Sequence, residues 1–512
     1  MKKTLFWTAI GASFLWMAFV YASFYLVPEQ RPLGAGHLRA IGATLLNLLS
    51  AAYLLLVGVG CGRRICRWLG LSFSSPLEPW VLGAGVGLGA LSLLVLALGL
   101  LGGLARWAWA LLLGALAFAT LPDLWAVARA LPDLRREPAP RWPLALYLAA
   151  TLLLTLALAL APPIDWDGLF YHLTFPRLHI EQARIAPLTG VPHQFFPGLV
   201  EQLYLAAMLL RGDVAAKLLH TAYALLLAGI VYLLAQQHLG RAHAWPAVTL
   251  YAAIPMVAVL GGWAYTDLAL AFYQLAALYA LLRWMREPRP SWIALSGLLC
   301  GLAMGVKYTS FLCPLYLLLV AAYHCVRTQV PRRRARAALA LLAGLSALVA
   351  APWYARNLAW TGNPVYPFAY RWLGASPEMA WDGWRAAWYA RAGSGLGGDL
   401  LAWLKLPWTL TLGLRDMNFY DGRIGPLFLL ALPFTIAWGA RLFGRPGPRP
   451  PALGVLIGFA LLQYGAWMAG VIRSQSLFQS RLLLPACVAL CAPLAYVYDE
   501  LRALDRPRFS LQ

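Results

Sequence analysis

Long apolar runs separated by short loops make up most of the 512-residue chain. An apolar run of about 18 residues or more is long enough to cross a hydrocarbon core about 30 Å thick as a helix. The runs do not alternate apolar and polar positions, as the strands of a membrane barrel do. The pattern therefore predicts an all-α integral membrane protein with about fourteen spans, near residues 4–27, 40–60, 80–101, 104–121, 143–162, 214–236, 245–262, 267–284, 292–309, 311–326, 337–353, 425–441, 453–471 and 482–499.

Two long segments interrupt the predicted spans, at 163–213 and 354–424. Segments of this length between tightly connected spans usually carry function. A short apolar stretch inside the first, at 197–210, is expected to lie along the membrane surface because it is too short to cross. The second contains a glycine-rich stretch at 393–398, which suits either the hinge of a lid or an ordinary exposed loop.

The order of spans and segments divides the chain into four predicted parts. Residues 1–142 form an N-terminal transmembrane module of about four spans, and 143–353 form a transmembrane core that carries the segment 163–213. Residues 354–424 lie at the membrane interface, and 425–512 supply the last helices and a short cytoplasmic tail. Function is expected in the second and third parts, where the acidic residues gather.

The positive charge of the chain is concentrated in alternate loops. The formal net charge is +21, although only 12% of the residues are charged and 61% are hydrophobic. Cytoplasmic loops of membrane proteins carry an excess of Lys and Arg, so the pattern places both termini in the cytoplasm and both long segments outside. Because membrane topology accounts for the basic loops, nucleic acid is excluded as a partner. Anionic lipids and a phosphorylated substrate remain as candidate partners. The basic loops lie at 63–67, 129–141, 283–289, 327–336 and 441–449.

The first candidate for chemistry is a pair of carboxylates that follows the fifth predicted span. Asp165 and Asp167 stand two residues apart and are followed by Tyr171 and His172. One carboxylate can act as a general base while the other binds an acceptor or a metal. An aspartate before an apolar stretch also commonly caps a helix. We expect one of the two to cap and the other to act.

Further ionisable residues are predicted at the same membrane face. Asp267 begins a predicted span, whereas Lys307, Arg356 and Arg481 lie at the outer ends of three others. A cation in a span is costly unless it snorkels or pairs with an anion, so each is either a headgroup anchor or a functional group. Three cations at one interface suit a phosphate, since each supplies charge-assisted hydrogen bonds. A transfer of sugar from a lipid phosphate would use both sets of charges: a carboxylate activates the acceptor hydroxyl, and cations stabilise the departing phosphate.

At these residues the sequence resembles the GT-C superfamily of polytopic glycosyltransferases. The resemblance is to bacterial members of family 39, relatives of protein O-mannosyltransferases and the lipid A aminoarabinose transferase, and it covers roughly residues 143–499. The motifs that carry it, in the order usual for the family, are Asp167-x-x-x-Tyr171-His172, Tyr265-x-Asp267, Gly305-x-Lys307-Tyr308-Thr309, Trp353-Tyr354-x-Arg356-Asn357 with Gly362-Asn363-Pro364, and Arg481-Leu482-Leu483-Leu484-Pro485.

The resemblance implies a GT-C-like helical bundle and an inverting transfer from a polyprenyl-phosphate sugar to a glycan, lipid or protein acceptor. The reaction would occur on the periplasmic or extracellular face of a bacterial inner membrane. The catalytic base falls on Asp167, or on Asp165 if the alignment shifts by two, and Lys307 and Arg481 would hold the donor phosphate with Arg356 beside them. The side chains expected to line the cavity are Tyr171, His172, Glu201, Asp267 and Tyr308.

The family's catalytic loop normally follows the first span, whereas here it follows the fifth. The N-terminal module is therefore an addition, or the chain belongs to a divergent branch with an unusual acceptor. A transporter or lipid flippase is the alternative class, which predicts charges near the bilayer midplane and an internal repeat. A glycan ligase or polymerase of GT-C type is a second alternative. Asp165 and Asp167 could together ligate a divalent metal, but no cofactor is expected to be required.

Overall fold

The computed structural model describes residues 2–25, 35–134, 137–188, 191–391, 400–412, 424–444, 449–473 and 479–502. Throughout these ranges the secondary structure is helical, with no strand, so the predicted all-α class is confirmed. The glycine-rich stretch 393–398 lies outside them. The α-helices are α1 (Lys2–Tyr25), α2 (Ala35–Trp68), α3 (Glu78–Leu100), α4 (Arg106–Ala128), α5 (Leu131–Leu134), α6 (Trp142–Leu160), α7 (Thr174–Glu181), α8 (Leu199–Leu210), α9 (Asp213–His238), α10 (Ala244–Ala252), α11 (Pro255–Gly261), α12 (Asp267–Arg286), α13 (Pro290–Met304), α14 (Leu312–Arg327), α15 (Arg332–Thr361), α16 (Tyr370–Leu373), α17 (Gly383–Arg391), α18 (Leu400–Leu404), α19 (Leu406–Leu412), α20 (Leu427–Gly444), α21 (Pro451–Arg473) and α22 (Leu484–Arg502).

Within the described ranges, ten helices are long and apolar enough to cross a membrane, and a bent pair makes an eleventh. A helix lies at each of the fourteen predicted positions, but three of the apolar helices described there are shorter than the length required, namely Trp7–Val20, Pro290–Met304 and Leu427–Gly439. The predicted span 245–262 is the bent pair, α10 and α11, which meet at 71°. Pro255 begins α11, and a proline ring disfavours helical backbone in the residue before it. The count of fourteen stays a prediction.

The centre of the bundle is α12, which is almost entirely buried. It packs against α9, α13 and α22, and its many alanines allow close approach on every face. The short helix α8, predicted to lie along the membrane surface, is instead covered by protein. It is buried on nearly all of its residues and packs against α3, α4, α7 and α9. The N-terminal part of the chain therefore contributes α3 and α4 to the packing of the core.

Glycines bring α2 and α3 into backbone contact. A Cβ atom added at Gly87 would lie 1.7 Å from the carbonyl oxygen of Gly58, and one added at Gly62 would lie 1.8 Å from that of Gly83. The four residues form two small-x-x-x-small motifs that face each other. Such motifs stabilise membrane helix pairs because small residues let the backbones approach closely.

We expect Gly87→Ala to lower the stability of the protein by at least the ~1–3 kcal/mol typical of overpacking. The added methyl group meets backbone, which cannot rotate away, so α2 and α3 must separate. The thermal midpoint in detergent measures the effect. Gly114→Ala in α4 is the matched control, because nothing lies within 4 Å of that position. Equal midpoints for the two variants would contradict the assigned packing.

Antiparallel packing collects the candidate residues at one end of the bundle, here called the site end. The C-termini of α6, α13 and α15 and the N-termini of α12 and α22 lie there. Contacts across this end include Lys307 with Asp267, Arg481 with Asp167, and Leu199 N–H donating to the carbonyl of Gly305. The prediction that these segments share one face is thus consistent with their contacts.

Candidate active site

Asp165 lies beneath the first long segment, directly after α6. Its side chain is buried and lies against Gly168, where an added Cβ would come within 1.8 Å of its Oδ2. Burial raises the pKa of the Asp165 carboxyl, against the opposing effect of Lys217 and the neighbouring backbone. The Lys217 ammonium donates to the carbonyls of Leu158 and Ala161 at 2.9 and 2.8 Å, which are free at the end of α6. Asp165 is therefore the more deeply buried of the two carboxylates in this segment.

Asp167 is the more accessible carboxylate of the two. Its Oδ2 accepts hydrogen bonds from the Tyr171 hydroxyl at 3.0 Å and from Arg481 Nη2 at 2.5 Å. Burial would raise the pKa of Asp167, but Arg481 and His172 outweigh it and hold the pKa below its ordinary value. The Asp167 side chain keeps 15% exposure, whereas that of Arg481 keeps 3%. Asp167 is thus an ionised, partly exposed carboxylate that pairs with a buried cation.

A second ion pair lies next to the first. Lys307 Nζ donates to Oδ1 of Asp267 at 2.8 Å. Asp267 is 1% exposed, and within the described residues its Oδ2 has no hydrogen-bond partner. Lys307 also acts electrostatically on Asp167, as Arg481 does on Asp267. The two pairs therefore form one charge-balanced cluster of two carboxylates and two cations.

The Arg481 guanidinium is fixed by two residues that the sequence did not single out as site residues. Gln479 Oε1 accepts from Nε at 3.1 Å and from Nη2 at 2.7 Å. The guanidinium also lies over the ring of Tyr265, 4.5 Å from its centroid. Tyr265 belongs to a motif recognised in the sequence and Gln479 lies two residues before another, so their proximity to Asp267 and Arg481 along the chain was the available signal.

A histidine–carboxylate pair adjoins the cluster. His172 Nδ1 lies 2.7 Å from Glu201 Oε1. Tyr171 stacks on His193, with the two ring centroids 5.0 Å apart. The sequence gave no specific reason to choose His193. Burial lowers the pKa of His193, so its imidazole is neutral at physiological pH. Behind these residues is a polar cavity of about 30 Å³, lined also by Arg356, with room for about one water molecule.

Arg356 and Tyr308 lie beside the cluster and bind the backbone of the first long segment. Arg356 Nη2 donates to the carbonyl of Phe196 at 3.0 Å, and the Tyr308 hydroxyl donates to that of Phe195 at 3.2 Å. Asn357 Nδ2 donates to the same Phe195 carbonyl at 2.6 Å and to the Tyr308 hydroxyl at 2.7 Å. These contacts attach α15 to the segment that carries Asp167.

A small apolar core extends this attachment into the second long segment. Phe195 packs with Tyr366 and Met379, and Trp360 and Trp381 surround them. Asn363 orders the turn that follows α15, because its amide donates to the carbonyls of Phe368 and Gly374 at 2.8 and 3.1 Å. The beginning of the segment 354–424 is therefore packed against the candidate site.

The structure thus brings most of the predicted site residues together, with Arg356 and Tyr308 at the edge. Asp167, Asp267, Lys307 and Arg481 form the charge-balanced cluster, and the residues that adjoin it are Asp165, Tyr171, His172 and Glu201. No three His, Cys, Asp or Glu side chains among the described residues are arranged to hold a metal ion. The expectation that no cofactor is required stays a prediction.

The pair between Asp167 and Arg481 should make stability depend on pH in the acid range. A carboxylate whose pKa is lowered by folding stabilises the folded state above its ordinary pKa of 3.8, and this contribution is lost as pH falls. We expect the thermal midpoint of the wild type to fall more steeply below about pH 5 than that of Asp167→Asn. Parallel curves for the two proteins would show that the pair does not stabilise the fold. Asp382→Asn, at an exposed pair with Arg385, should follow the wild type.

The middle of the chain matches a known protein family. Residues 203–355 match the family model described as dolichyl-phosphate-mannose-protein mannosyltransferase. The match confirms the resemblance to the GT-C superfamily of membrane glycosyltransferases. It begins within α8, ends within α15 and includes Asp267 and Lys307, whereas Asp167 and Arg481 lie outside it.

Two solved structures are also similar to the chain. One is the Archaeoglobus fulgidus oligosaccharyltransferase in the apo form, with 17% identity over 70% of this chain and a TM-score of 0.41. The other is the archaeal oligosaccharyltransferase AglB from Archaeoglobus fulgidus in complex with an inhibitory peptide and a dolichol-phosphate, with 16% identity over 70% of this chain and a TM-score of 0.39. The match covers 51% of each of those chains, so this chain spans about half of their length. A search of curated proteins found no match.

Proposed function

We propose that this protein is an inverting glycosyltransferase that moves a sugar from a polyprenyl-phosphate donor to an acceptor at the site end. The observation that carries the proposal is the cluster in which Asp167 and Asp267 are neutralised by Arg481 and Lys307. It places an accessible carboxylate beside two cations at one end of an apolar bundle. A transfer between a hydroxyl and a lipid phosphate needs both kinds of group.

In the proposed reaction, Asp167 removes the proton of the acceptor hydroxyl as its oxygen attacks the anomeric carbon. The new bond to the sugar forms on the face opposite the bond that breaks, so the configuration is inverted. The electron pair of the broken bond stays on the phosphate oxygen, and the lipid phosphate leaves. Lys307 and Arg481 stabilise the added negative charge, and Asp167 retains the proton until it is released to solvent.

The hydrogen bond of Arg481 to Asp167 couples donor binding to the strength of the base. Without donor, the arginine lowers the pKa of Asp167 and so weakens it as a base. A donor phosphate that draws Arg481 towards itself removes part of this effect, and the carboxylate becomes more basic. The base would thus be strengthened only when a leaving group is in place.

The remaining residues are proposed to orient the reacting groups. Tyr171 and Glu201 line the cavity next to the base, His172 pairs with Glu201, and Asp267 holds Lys307 in position. Arg356 and Tyr308 act through the segment they attach, since their polar atoms bind its carbonyls. The arginine-rich alternate loops favour a cytoplasmic location for the opposite end, with transfer at the outer face of a bacterial inner membrane.

The family whose model matches takes its name from a polyprenyl-phosphate sugar and a protein acceptor. A donor of that kind is proposed here, and the acceptor is a glycan, lipid or protein. The charged residues lie at helix ends, and the charge-balanced cluster does not require a transport pathway across the bilayer. An enzyme therefore explains the cluster better than a flippase does.

Donor binding provides the direct test. Polyprenyl phosphate at about 100 times its Kd should stabilise the purified protein by ~2.7 kcal/mol, because it binds only the folded state. Lys307→Met combined with Asp267→Asn should lose most of this stabilisation, since it removes one phosphate-binding cation without leaving Asp267 charged and unpaired. Lys405→Ala, at an exposed lysine, is the control that should respond as the wild type does.

Three outcomes would contradict the proposal. Equal stabilisation of the double variant and the wild type would exclude Lys307 from the phosphate site. No stabilisation by any lipid phosphate, with competition by detergent excluded, would favour a transporter of another anionic substrate. Stabilisation by lipid-linked oligosaccharides but not by single-sugar donors would favour a ligase or polymerase.

A further inference from the structure

A cavity of about 1060 Å³ opens at the end of the bundle opposite to the candidate active site. It lies between α6, α10, α20 and α22, and its volume is at the upper limit of the roughly 300–1,000 Å³ of small-molecule sites. Its walls are mainly apolar and include Leu144, Leu250, Leu427, Leu430, Phe434 and Leu494. An apolar cavity of this size suits a ligand with hydrocarbon chains.

The cavity is remote from the reaction centre proposed above. Helix α22 begins beside Arg481 and ends at Arg502, which lies on the rim of the cavity. A helix of 19 residues is about 28 Å long, close to the thickness of a hydrocarbon core. The rim therefore lies at the other membrane surface, and a ligand there would come from the other leaflet.

The rim is positively charged. Arg141, Arg241 and Arg502 line it and are exposed, and none of the three forms an ion pair with another described residue. The carboxylate of Asp499, which also lines the cavity, accepts a contact from His243 Nδ1 at 2.8 Å. Three arginines and one aspartate leave a formal charge of +2 at the mouth of an apolar cavity.

Aromatic side chains mark the rim as a membrane interface. Trp142 and Tyr498 are exposed, and the Trp245 indole N–H donates to the carbonyl of Pro138 at 2.6 Å. Trp and Tyr concentrate at the depth of lipid headgroups, where one part of the ring is apolar and another polar. The arginines are thus at headgroup depth and the leucine-rich walls at the depth of acyl chains.

We propose that this cavity binds an anionic diacyl phospholipid from the leaflet opposite to the candidate active site. The lipid phosphate contacts Arg141, Arg241 and Arg502, and the acyl chains lie along α20 and α22. A zwitterionic headgroup is disfavoured because its cation would meet the same three arginines. The proposal rests on the cavity and its charge, and does not depend on the glycosyltransferase reaction.

Native mass spectrometry of the full-length protein in detergent tests the proposal without measuring transfer. Phosphatidylglycerol and phosphatidylcholine with identical acyl chains are added at equal concentration, and the fraction of protein with one bound lipid is compared. We expect preferential retention of phosphatidylglycerol by the wild type. Arg141→Gln with Arg241→Gln and Arg502→Gln should reduce that retention at least tenfold, since each basic residue near an anionic lipid contributes about fivefold.

Two further variants distinguish lipid binding in the cavity from lipid attraction by general surface charge. Ala431→Trp adds a large side chain to the apolar wall and should reduce retention with all three arginines present. Arg332→Gln with Arg333→Gln and Arg336→Gln changes the charge equally at the same end of the bundle, at the start of α15, and should retain the lipid as the wild type does.

Three results would overturn the proposal. Equal retention of the two lipids would exclude recognition of an anionic headgroup. Equal loss in the two triple-arginine variants would show that surface charge alone attracts the lipid. Displacement of phosphatidylglycerol by polyprenyl phosphate at equal concentration, lost in Ala431→Trp, would assign the cavity to a polyprenyl lipid.

Discussion

Replacement of Asp167 by Asn should lower the rate of sugar transfer by about 10²- to 10⁴-fold, the usual contribution of a general base. The amide has the shape of the carboxylate and can still accept from Tyr171 and Arg481, but it cannot take a proton from the acceptor. Because the variant releases Arg481 from an ionised partner, it should bind polyprenyl phosphate at least as tightly as the wild type. Transfer is measured with radiolabelled donor, and binding by the thermal shift.

The separation of the two readouts distinguishes a lost base from a misfolded protein. A structural role for Asp167 would lower binding and transfer together. Asp213→Asn is the matched control, since this carboxylate lies in the same part of the chain but pairs with the exposed Arg177. Full activity of Asp167→Asn, with Asp165→Asn also active, would remove both carboxylates from the mechanism.

Replacement of Arg283 by Met should cause the largest loss of stability, about 3–5 kcal/mol. The Glu78 carboxylate is fully buried, and Oε1 accepts hydrogen bonds from Arg283 and from the Tyr279 hydroxyl. The backbone N–H groups of Ser74 and Ser75 donate to its Oε2 at 2.5 and 3.0 Å. Removing the arginine leaves a charge buried without its cation, which costs more than losing the pair as a unit.

A double variant distinguishes the effect of the ion pair on stability from the effect of lost packing. Glu78→Gln combined with Arg283→Met removes both charges and should recover part of the lost stability. Arg385→Met breaks an exposed pair with Asp382 and should change stability by less than ~1 kcal/mol. The free energy of unfolding in mixed micelles measures all three variants. If the double variant is no more stable than Arg283→Met alone, the prediction that the ion pair stabilises the protein is wrong.

The sequence predicted the helical class because the length of an apolar run depends only on local composition. It did not predict the environment of α8, because apolar side chains on all faces of a short helix are compatible with lipid or with protein. The sequence also did not predict the bend between α10 and α11, although Pro255 lies within the predicted span 245–262. Proline disfavours a continuous helix without specifying the angle between the two parts.

The candidate site was predictable to the level of residue type and membrane face. Asp167, Asp267, Lys307 and Arg481 stand at helix ends that the alternation of spans assigns to the same surface. Which cation pairs with which carboxylate depends on how the helices rotate and pack, and that information is not local. For the same reason the sequence suggested that Arg356 contacts phosphate, whereas in the structure its guanidinium binds the carbonyl of Phe196.

The contact of Asp167 with Arg481 joins residues 314 positions apart in the chain. Membrane helices are inserted in the order of synthesis, so the carboxylate reaches the membrane long before its partner. Helix α22 must enter between α9, α10, α12 and α21, all of which precede it. A partly synthesised chain can therefore present the proposed base and Lys307 but not Arg481, the other cation of the proposed phosphate site. If the proposed function is right, transfer activity should appear only after this late helix is in place, and an unfinished chain should not consume donor.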